Sequence, residues 1–572
     1  MTTVLRRSLW RRLFRYLLLV QILVRRSDGK TWGKYGEIPL QQQDQMAPSD
    51  QFVYEEETNK IKTNGVKLSQ NERKTDRLQE EQQADYAVMI DCGSSGSRVH
   101  IYQWPSAAVS DARSFARFVR PLMDPQTGQP ASLRTRPGIS SYAAEPHKAS
   151  GSLRPLMQFA ERQIPPSSPP RVPVYILATG GVRLLEVDKQ RALLATIERD
   201  LRAEFGQFKA IKAEVVSGQQ EGASQWLSVN TAAGRLGAQF DQAQGMAFFL
   251  QPSGARRLAV VEMGGASVQV AFELSSGQLE RLLGLGLKHQ PEALRVFEGS
   301  RLGYRLDADT KTSVFSSSFL GFGSDSVRSL AVDLLVRDAR AAHFRREPLL
   351  VGPNSSLLIE DPCLSVGARE VHEKPLEILH STPGKTVGYT LGSGGPENRL
   401  LVRLFGVGNF GACRVLLARL VVIVSRERTI CRKGEELCAC ALIGTDFVPW
   451  FKLQFVGLGQ LFYTQGQVLQ RAGLLDAAAL QVATKGLCST TLDQLNSKLK
   501  AKDPIDEQRN LLACFKATWV LTFLSIVLKM PMKWSGKTHN LTTLDPSDRD
   551  PPLDWTLGAL MGLKFNPTDT PS

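Results

Sequence analysis

Two short stretches of this chain carry residue types that could grip a phosphate. Asp91-Cys-Gly-Ser-Ser-Gly-Ser-Arg98 places an acid at the head of a small-residue loop, and Glu262-Met-Gly-Gly-Ala-Ser-Val-Gln269 repeats the pattern 171 residues later. Glycine and serine leave backbone N–H groups and hydroxyls unobstructed, which charge-assisted hydrogen bonds to phosphate oxygens require. The carboxylate at the head of each loop could hold a hydrated divalent cation that bridges those oxygens. One loop of this composition usually means only a turn. Two in matching register describe a clamp.

The flanking residues indicate the elements that must position these loops. Tyr86-Ala-Val-Met-Ile90 enters the first and Val99-His-Ile-Tyr102 leaves it, while Leu258-Ala-Val-Val261 and Val270-Ala-Phe272 do the same for the second. Each copy therefore reads as strand, tight turn, strand, and the pair is an internal repeat. Between the copies lie a Pro-rich connector from Ile164 to Pro173, a strand Val174-Tyr-Ile-Leu177 and helix-like segments. Strands alternating with helices predict an α/β architecture. Competing phosphate and metal signatures fail. Gly384-Lys385-Thr386 has Leu379 where a P-loop needs its first glycine, no HExxH occurs, and Gly392-Ser-Gly-Gly395 reads as a loop.

With 572 residues, 42% hydrophobic and 22% charged, the chain can bury several cores and is expected to form two or more lobes. Its net charge of +14 could suggest a nucleic-acid partner, but Arg6, Arg7, Arg11, Arg12, Arg15, Arg25 and Arg26 supply much of it within the first 26 residues. The body is only mildly basic and has no basic-aromatic stripe, so no nucleic-acid partner is expected. Those arginines bracket an apolar run, Leu13 to Val24, shorter than the roughly 20 residues of a spanning helix. If it inserts, the arginine bias keeps the N-terminus cytoplasmic and sends the body into the lumen. A cleaved signal peptide and a surface helix are the alternatives. Residues 31–84 are polar and Gln/Glu-rich, as in a stem. A second apolar run, Ala517 to Leu528, is expected to be a buried helix. Of eight cysteines, six lie in the last third (Cys413, Cys431, Cys438, Cys440, Cys488, Cys514) without CxxC spacing, favouring disulfides over zinc. Sequons at Asn354 and Asn540 fit a lumenal body.

Taken together, these residues resemble the apyrases, or nucleoside triphosphate diphosphohydrolases, whose fold is of the actin/hexokinase/Hsp70 type. The 91–98 loop looks like the family's first apyrase region, and its Cys-Gly form is similar to the intracellular Golgi and lysosomal branch. Leu177-Ala-Thr-Gly-Gly-Val-Arg183 resembles the second region, Ser217-Gly-Gln-Gln-Glu-Gly222 through Trp226 to Asn230 the third, and Glu262 to Gln269 the fourth. Arg136-Pro-Gly-Ile-Ser140, Phe319-Leu-Gly-Phe-Gly323, Asp361-Pro-Cys-Leu364, Cys514-Phe515 and Trp555-Thr-Leu-Gly558 are further echoes, so the resemblance covers about 85 to 572. The fourth region departs from the family in Glu262 for Asp and Val268 for Thr, the second in Gly180 for Ala, and Phe455 to Gln460 matches the fifth poorly.

The resemblance implies two actin-like (RNase H-like) lobes around a nucleotide cleft: lobe I from 85–217 completed by 532–572, and lobe II from 218–531, behind an N-terminal segment 1–30 and the stem. It implies Glu221 as general base and Ser267 and Gln269 as residues that orient the attacking water. Phosphates would be held by Ser94, Ser95, Gly96, Ser97, Arg98, Thr179, Arg183, Gly264, Gly265 and Ala266, with Mg²⁺ or Ca²⁺ bound through water by Asp91 and Glu262. The implied disulfides are Cys488 with Cys514 and Cys431 with Cys440. The nucleobase would meet the stretch from Ala439 to Tyr463, with Phe447, Phe462 and Tyr463 as candidates. The activity implied is hydrolysis of UDP, GDP or another nucleoside di- or triphosphate in the Golgi or another endomembrane lumen, with secretion or the lysosome as alternatives. The departures also admit a nucleotide-binding protein that keeps the clamp without useful turnover.

Overall fold

The two acid-led repeats fold into two β-sheets of the same plan. In the computed structural model, residues 84–109, 112–166, 168, 172–233, 235, 257–275, 277, 295–298, 313–343, 356–375, 399–427, 453–469, 473–499, 504–530, 541–543 and 554–565 are described. The first sheet comprises β1 (Ala84–Cys92), β2 (Ser97–Pro105), β3 (Arg120–Pro121), β4 (Ser132–Thr135), β5 (Pro173–Ala178) and β6 (Ala210–Val215), in the order β3-β2-β1-β5-β6 with β4 also on β2. The second comprises β7 (Ala259–Met263), β8 (Ser267–Glu273), β9 (Arg295–Glu298) and β10 (Ser313–Leu320) with three later strands. A small third sheet is formed by β11 (Ser356–Asp361), β12 (Arg369–Pro375) and β13 (Arg399–Gly406), in the order β11-β13-β12. The second sheet is completed by β14 (Phe455–Gly459), β15 (Gly473–Leu474) and β16 (Leu541–Thr543), in the order β15-β16-β14-β7-β8-β10-β9.

Both large sheets start from an antiparallel hairpin, β1-β2 or β7-β8, and continue on the other side with parallel strands, β5-β6 or β14-β16. The register repeats as well: Asp91 lies opposite Arg98 and Glu262 opposite Gln269, seven residues on in each hairpin. The expected two-lobed α/β fold of the actin-like type is thus present. One boundary differs from the sequence reading: β16, inside the 532–572 segment assigned to lobe I, pairs with β14 of the second sheet. Three residues are too short a run to reveal a partner, and only the register across the sheet decides it.

Strand alternation sorts side chains between an inner layer and two outer cores. Ile90, Val99 and Ile101 face outward with the helices Pro146–Gln163 and Val187–Glu204, whereas Met89 and Tyr102 face inward. Val268 and Val270 pack outward against the helices Ser324–His343 and Ala513–Thr522, whereas Val260 and Ala271 face inward. The inner layer holds the helices Gly218–Ala232 and Trp555–Phe565, through Trp226, Leu227, Leu557 and Leu560. By the same alternation Asp91, Arg98, Glu262, Ser267 and Gln269 all point inward. Val268 belongs to an outer core, where a threonine hydroxyl would need a partner. The Ala517 to Leu528 run is buried, as the end of the Ala513–Thr522 helix and a following wide turn, Phe523–Val527. Among the described residues no helix is long and apolar enough to cross a membrane, and the Leu13 to Val24 run lies outside them.

Candidate active site

Glu221 sits in the first turn of the Gly218–Ala232 helix because Ser217 caps it. The Ser217 hydroxyl accepts from the Gln220 N–H, and the Gln220 side chain returns a bond to the Ser217 N–H. The helix can lie against the second sheet because its contact points are glycine. A Cβ on Gly218 would collide with Ser318, and one on Gly222 would come within 2.6 Å of Ser316 Oγ. Ser316 in turn donates to the Gln219 carbonyl at 2.8 Å. The Ser217-Gly-Gln-Gln-Glu-Gly222 sequence is therefore a cap followed by a docking stripe that brings a carboxylate to the sheet.

Around that carboxylate the distant segments converge. Arg183 donates to Glu221 Oε2 at 2.7 Å, to Ser267 Oγ at 3.0 Å and to the Val216 carbonyl at 2.8 Å. Gln269 Nε2 lies 3.1 Å from the same Glu221 oxygen, 2.7 Å from Ser267 Oγ and 3.2 Å from Ser318 Oγ. Glu221, Ser267 and Gln269 are all buried. Buried charges persist only when paired and hydrogen-bonded, and Arg183 with Gln269 satisfies that for Glu221. Ser318 is a member that the sequence reading missed; it is one of three consecutive serines, and nothing local singles it out.

The two loops face each other. A Cβ on Gly265 would collide with Ser94 Oγ and lie 2.5 Å from Asp325 Oδ2, so the second loop touches the first where only hydrogen fits. Gly180 does the same beside the second loop, where a Cβ would stand 2.9 Å from Ala266 Cβ and 3.0 Å from Ser267 Oγ. Alanine, usual in the apyrase pattern, would be crowded here. Thr179 is buried, and its N–H and hydroxyl both donate to the Cys92 carbonyl, at 3.1 and 3.3 Å, tying the second region to the first loop. Ser95 is exposed and accepts from Arg134 at 2.8 Å. Ser97 departs from expectation. It is buried beside the Cys92 thiol, on the outer face with Val99, so β-strand alternation turns it away from the phosphate position.

Four carboxylates share the cleft. Burial pushes the Asp91 carboxyl up to about 8, and the charges of Asp554 and Glu221 add to this, against a hydrogen bond from Trp555 and the charge of Arg98. Burial, then Glu221, Asp91 and Asp554, hold Glu262 well above the usual carboxylate range. Like charges packed this way resist ionisation together unless a cation joins them. Asp91 Oδ1 and Gln269 Oε1 are buried without a hydrogen-bond partner, acceptors suited to the water shell of an ion or to a substrate water. Among the described residues no three His, Cys, Asp or Glu side chains form a direct metal-ligand group. The extra methylene of Glu262 is accommodated by Gly459, which has φ +62° and whose Cβ would lie 2.9 Å from Glu262 Oε1. Asp554 and Trp555 received no role in the sequence reading; an acid immediately before a helix start was the available signal.

Cys488 and Cys514 form a disulfide, and Cys363 pairs with Cys413, a pairing the sequence reading did not include. Cys431, Cys440, Phe447 and the sequon asparagines lie outside the described residues.

A family model for GDA1/CD39 (nucleoside phosphatase) proteins matches residues 77–568. The chain belongs to that family. It is 29% identical over 496 residues to human "Ectonucleoside triphosphate diphosphohydrolase 7", covering 84% of this chain and 73% of that one. It is 27% identical over 500 residues to the Caenorhabditis elegans "Nucleoside-diphosphatase mig-23" (86% and 79%), and 28% identical over 484 residues to the Arabidopsis thaliana "Probable apyrase 3" (83% and 82%). A solved nucleoside triphosphate hydrolase from Neospora caninum has the same fold, with a TM-score of 0.50 at 17% identity, covering 86% of this chain and 95% of that one. This GDA1/CD39 protein is accordingly an enzyme that hydrolyses nucleotide phosphates. The reading of a clamp without turnover gains no support from an intact Arg183, Glu221, Ser267 and Gln269 cluster.

Proposed function

We propose that this nucleoside phosphatase removes the terminal phosphate of nucleoside diphosphates such as UDP and GDP, in the lumen of a secretory compartment, with a divalent cation. The observation that carries the reading is the meeting of Ser94 and Gly265 across the cleft from a carboxylate held by Arg183 and Gln269. The terminal phosphate lies between the two loops, within reach of Ser94, Ser95, Gly96, Arg98, Gly264, Gly265 and Ala266. Ser267 and Gln269 orient a water in line with phosphorus. Both Arg183 and Gln269 engage Glu221 Oε2, so Oε1 takes the proton from that water as its oxygen bonds to phosphorus. The bridging oxygen leaves with the nucleoside monophosphate, and inorganic phosphate is the second product. Asp91 and Glu262 would hold Mg²⁺ or Ca²⁺ through water, and the ion would supply charge neutralisation at the phosphate oxygens.

Two disulfides among the described cysteines support an oxidising compartment, and the arginine-flanked run at the N-terminus supports a membrane anchor facing it. Phe462 and Tyr463, with ring centroids 5.4 Å apart and Tyr463 about half exposed, are the aromatics we propose for the base. The test measures phosphate release from a nucleotide panel with Mg²⁺, Ca²⁺ or chelator, for wild type and Glu221→Ala. Cation-dependent release from UDP or GDP that falls by about 10²- to 10⁴-fold in the variant supports the reading. Equal release from both proteins would remove Glu221 as base, and a clear preference for ATP would overturn the substrate class.

A further inference from the structure

Outside the residues given roles above, one polar cluster lies directly behind the acid of the first loop. Asp554 stands at the entrance to the Trp555–Phe565 helix, with one carboxylate oxygen bonded to the helix start and the other facing His100. Oδ1 accepts from the Thr556 N–H at 2.8 Å and from the Thr556 hydroxyl at 2.5 Å, while Oδ2 lies 3.3 Å from His100 Nε2. The Thr556 hydroxyl is also 3.0 Å from the Tyr102 hydroxyl, and Ser228 donates to the Asp554 carbonyl at 2.6 Å. His100 and Tyr102 continue the inward face of β2 that carries Arg98, opposite Asp91. Ser228 belongs to the helix that carries Glu221. Between these anchors, Trp555 donates its indole N–H to the Asp91 carboxyl, and the Asp554 charge acts on both Asp91 and Glu262. The Asp554 Oδ1 is taken up by the helix cap, while its Oδ2 faces His100 Nε2, which makes no hydrogen bond and is held towards the neutral form by burial. The effect of Asp554 on the site passes through Trp555 and through its charge.

We propose that Asp554, beside His100, is a positioning residue for the divalent cation: it fixes the Trp555 indole on Asp91 and adds its negative charge behind the ion to those of Asp91, Glu262 and Glu221. This rests on the proposed cation site between Asp91 and Glu262, which the unpartnered Asp91 Oδ1 and the crowding of carboxylates fit. The consequence is that cation affinity, measured without nucleotide or turnover, depends on Asp554.

The experiment titrates Mn²⁺ into the full chain, without nucleotide, by calorimetry and by the electron paramagnetic resonance signal of free ion. Asp554→Asn keeps an oxygen for the helix cap and removes the charge; it should weaken Mn²⁺ binding about tenfold, the effect of one charge at partly buried range. His100→Phe removes the polar neighbour of Asp554 Oδ2 and should weaken binding several-fold, and His100→Gln, which restores a polar side chain there, should recover it. A role confined to folding would lower the melting temperature and the number of binding-competent molecules while leaving Kd unchanged. Wild-type Kd in Asp554→Asn overturns the proposal; if that variant does not fold, equal Kd values for His100→Phe, His100→Gln and wild type overturn it instead. Asp91→Asn and Glu262→Gln separate the two readings. If both lose Mn²⁺ while Asp554→Asn and His100→Phe bind normally, the positioning role alone is wrong; if both bind normally, the cation site itself is wrong.

Discussion

Arg183 and Glu221, 38 residues apart in sequence, meet at 2.7 Å, and the same guanidinium holds Ser267 and the Val216 carbonyl. One planar group therefore joins Glu221, Ser267 of the second loop and the end of the first sheet. Only a guanidinium can make these contacts together, since lysine presents a single point charge.

Arg183→Lys should consequently lower kcat by about 100-fold with a smaller change in KM, because a misplaced base costs rate more than ground-state binding. Steady-state kinetics on the nucleotide hydrolysed fastest check this. A change confined to KM would mean that Arg183 serves mainly to bind phosphate.

The closeness of the two loops makes Gly265 intolerant of a side chain. Gly265→Ala places a methyl against Ser94 Oγ and 2.5 Å from Asp325 Oδ2. It should cost on the order of 1–3 kcal/mol in stability and lower kcat/KM. Gly180→Ala meets the Ala266 methyl and the Ser267 hydroxyl at 2.9 and 3.0 Å and should be milder. Melting temperatures and kcat/KM of both variants test the ordering; equal effects would contradict the contact geometry.

A second buried charge network braces the outer face of the second sheet. Arg328 lies 2.7 Å from the fully buried Asp361, pairs with Glu370 and sits over the Phe515 ring. Removing the cation by Arg328→Leu leaves Asp361 buried and unpaired, at a cost of about 3–5 kcal/mol. Urea unfolding at neutral pH measures it, and a loss below 1 kcal/mol, read as an unchanged midpoint, would contradict the pairing.

Glu370 gives that network an acid signature. Burial alone would raise its carboxyl, but the His372 hydrogen bond and the Arg328 charge overrule it and hold it near about 2, against a usual 4.5. A carboxyl depressed in the folded state stabilises above its unfolded value, and that stabilisation disappears as pH falls from 4.5 towards about 2. Glu370→Gln should therefore be less stable than wild type at neutral pH, and the difference should shrink through that acid window. Unfolding midpoints across the window decide; a difference independent of pH would show that the carboxyl is not depressed.

Paired cysteines offer a check on the outer framework. Replacing Cys488 and Cys514 together with alanine opens a closure of 26 residues and should destabilise by about 2–4 kcal/mol. Activity of the folded fraction should persist, since neither cysteine touches the cleft cluster; loss of turnover in fully folded protein would refute that separation.

The sequence by itself determined the hairpins and their chemistry. Strand, small-residue loop and strand are local patterns with a period of two, so the two hairpins and the acid at the head of each loop were legible before any tertiary contact was known. The 217–222 segment was legible only through its resemblance to the apyrase pattern, which gave Glu221 its expected role. What the tertiary structure alone decided involves partners far apart in the chain: β16 joining the second sheet, Ser318 completing the Gln269 contacts, Cys363 choosing Cys413, and Asp554 arriving behind Asp91. The reason is physical. Hydrogen-bonding periodicity is written within a few residues, whereas a contact between segments hundreds of residues apart depends on how whole layers pack, and no single stretch of sequence contains both sides of it.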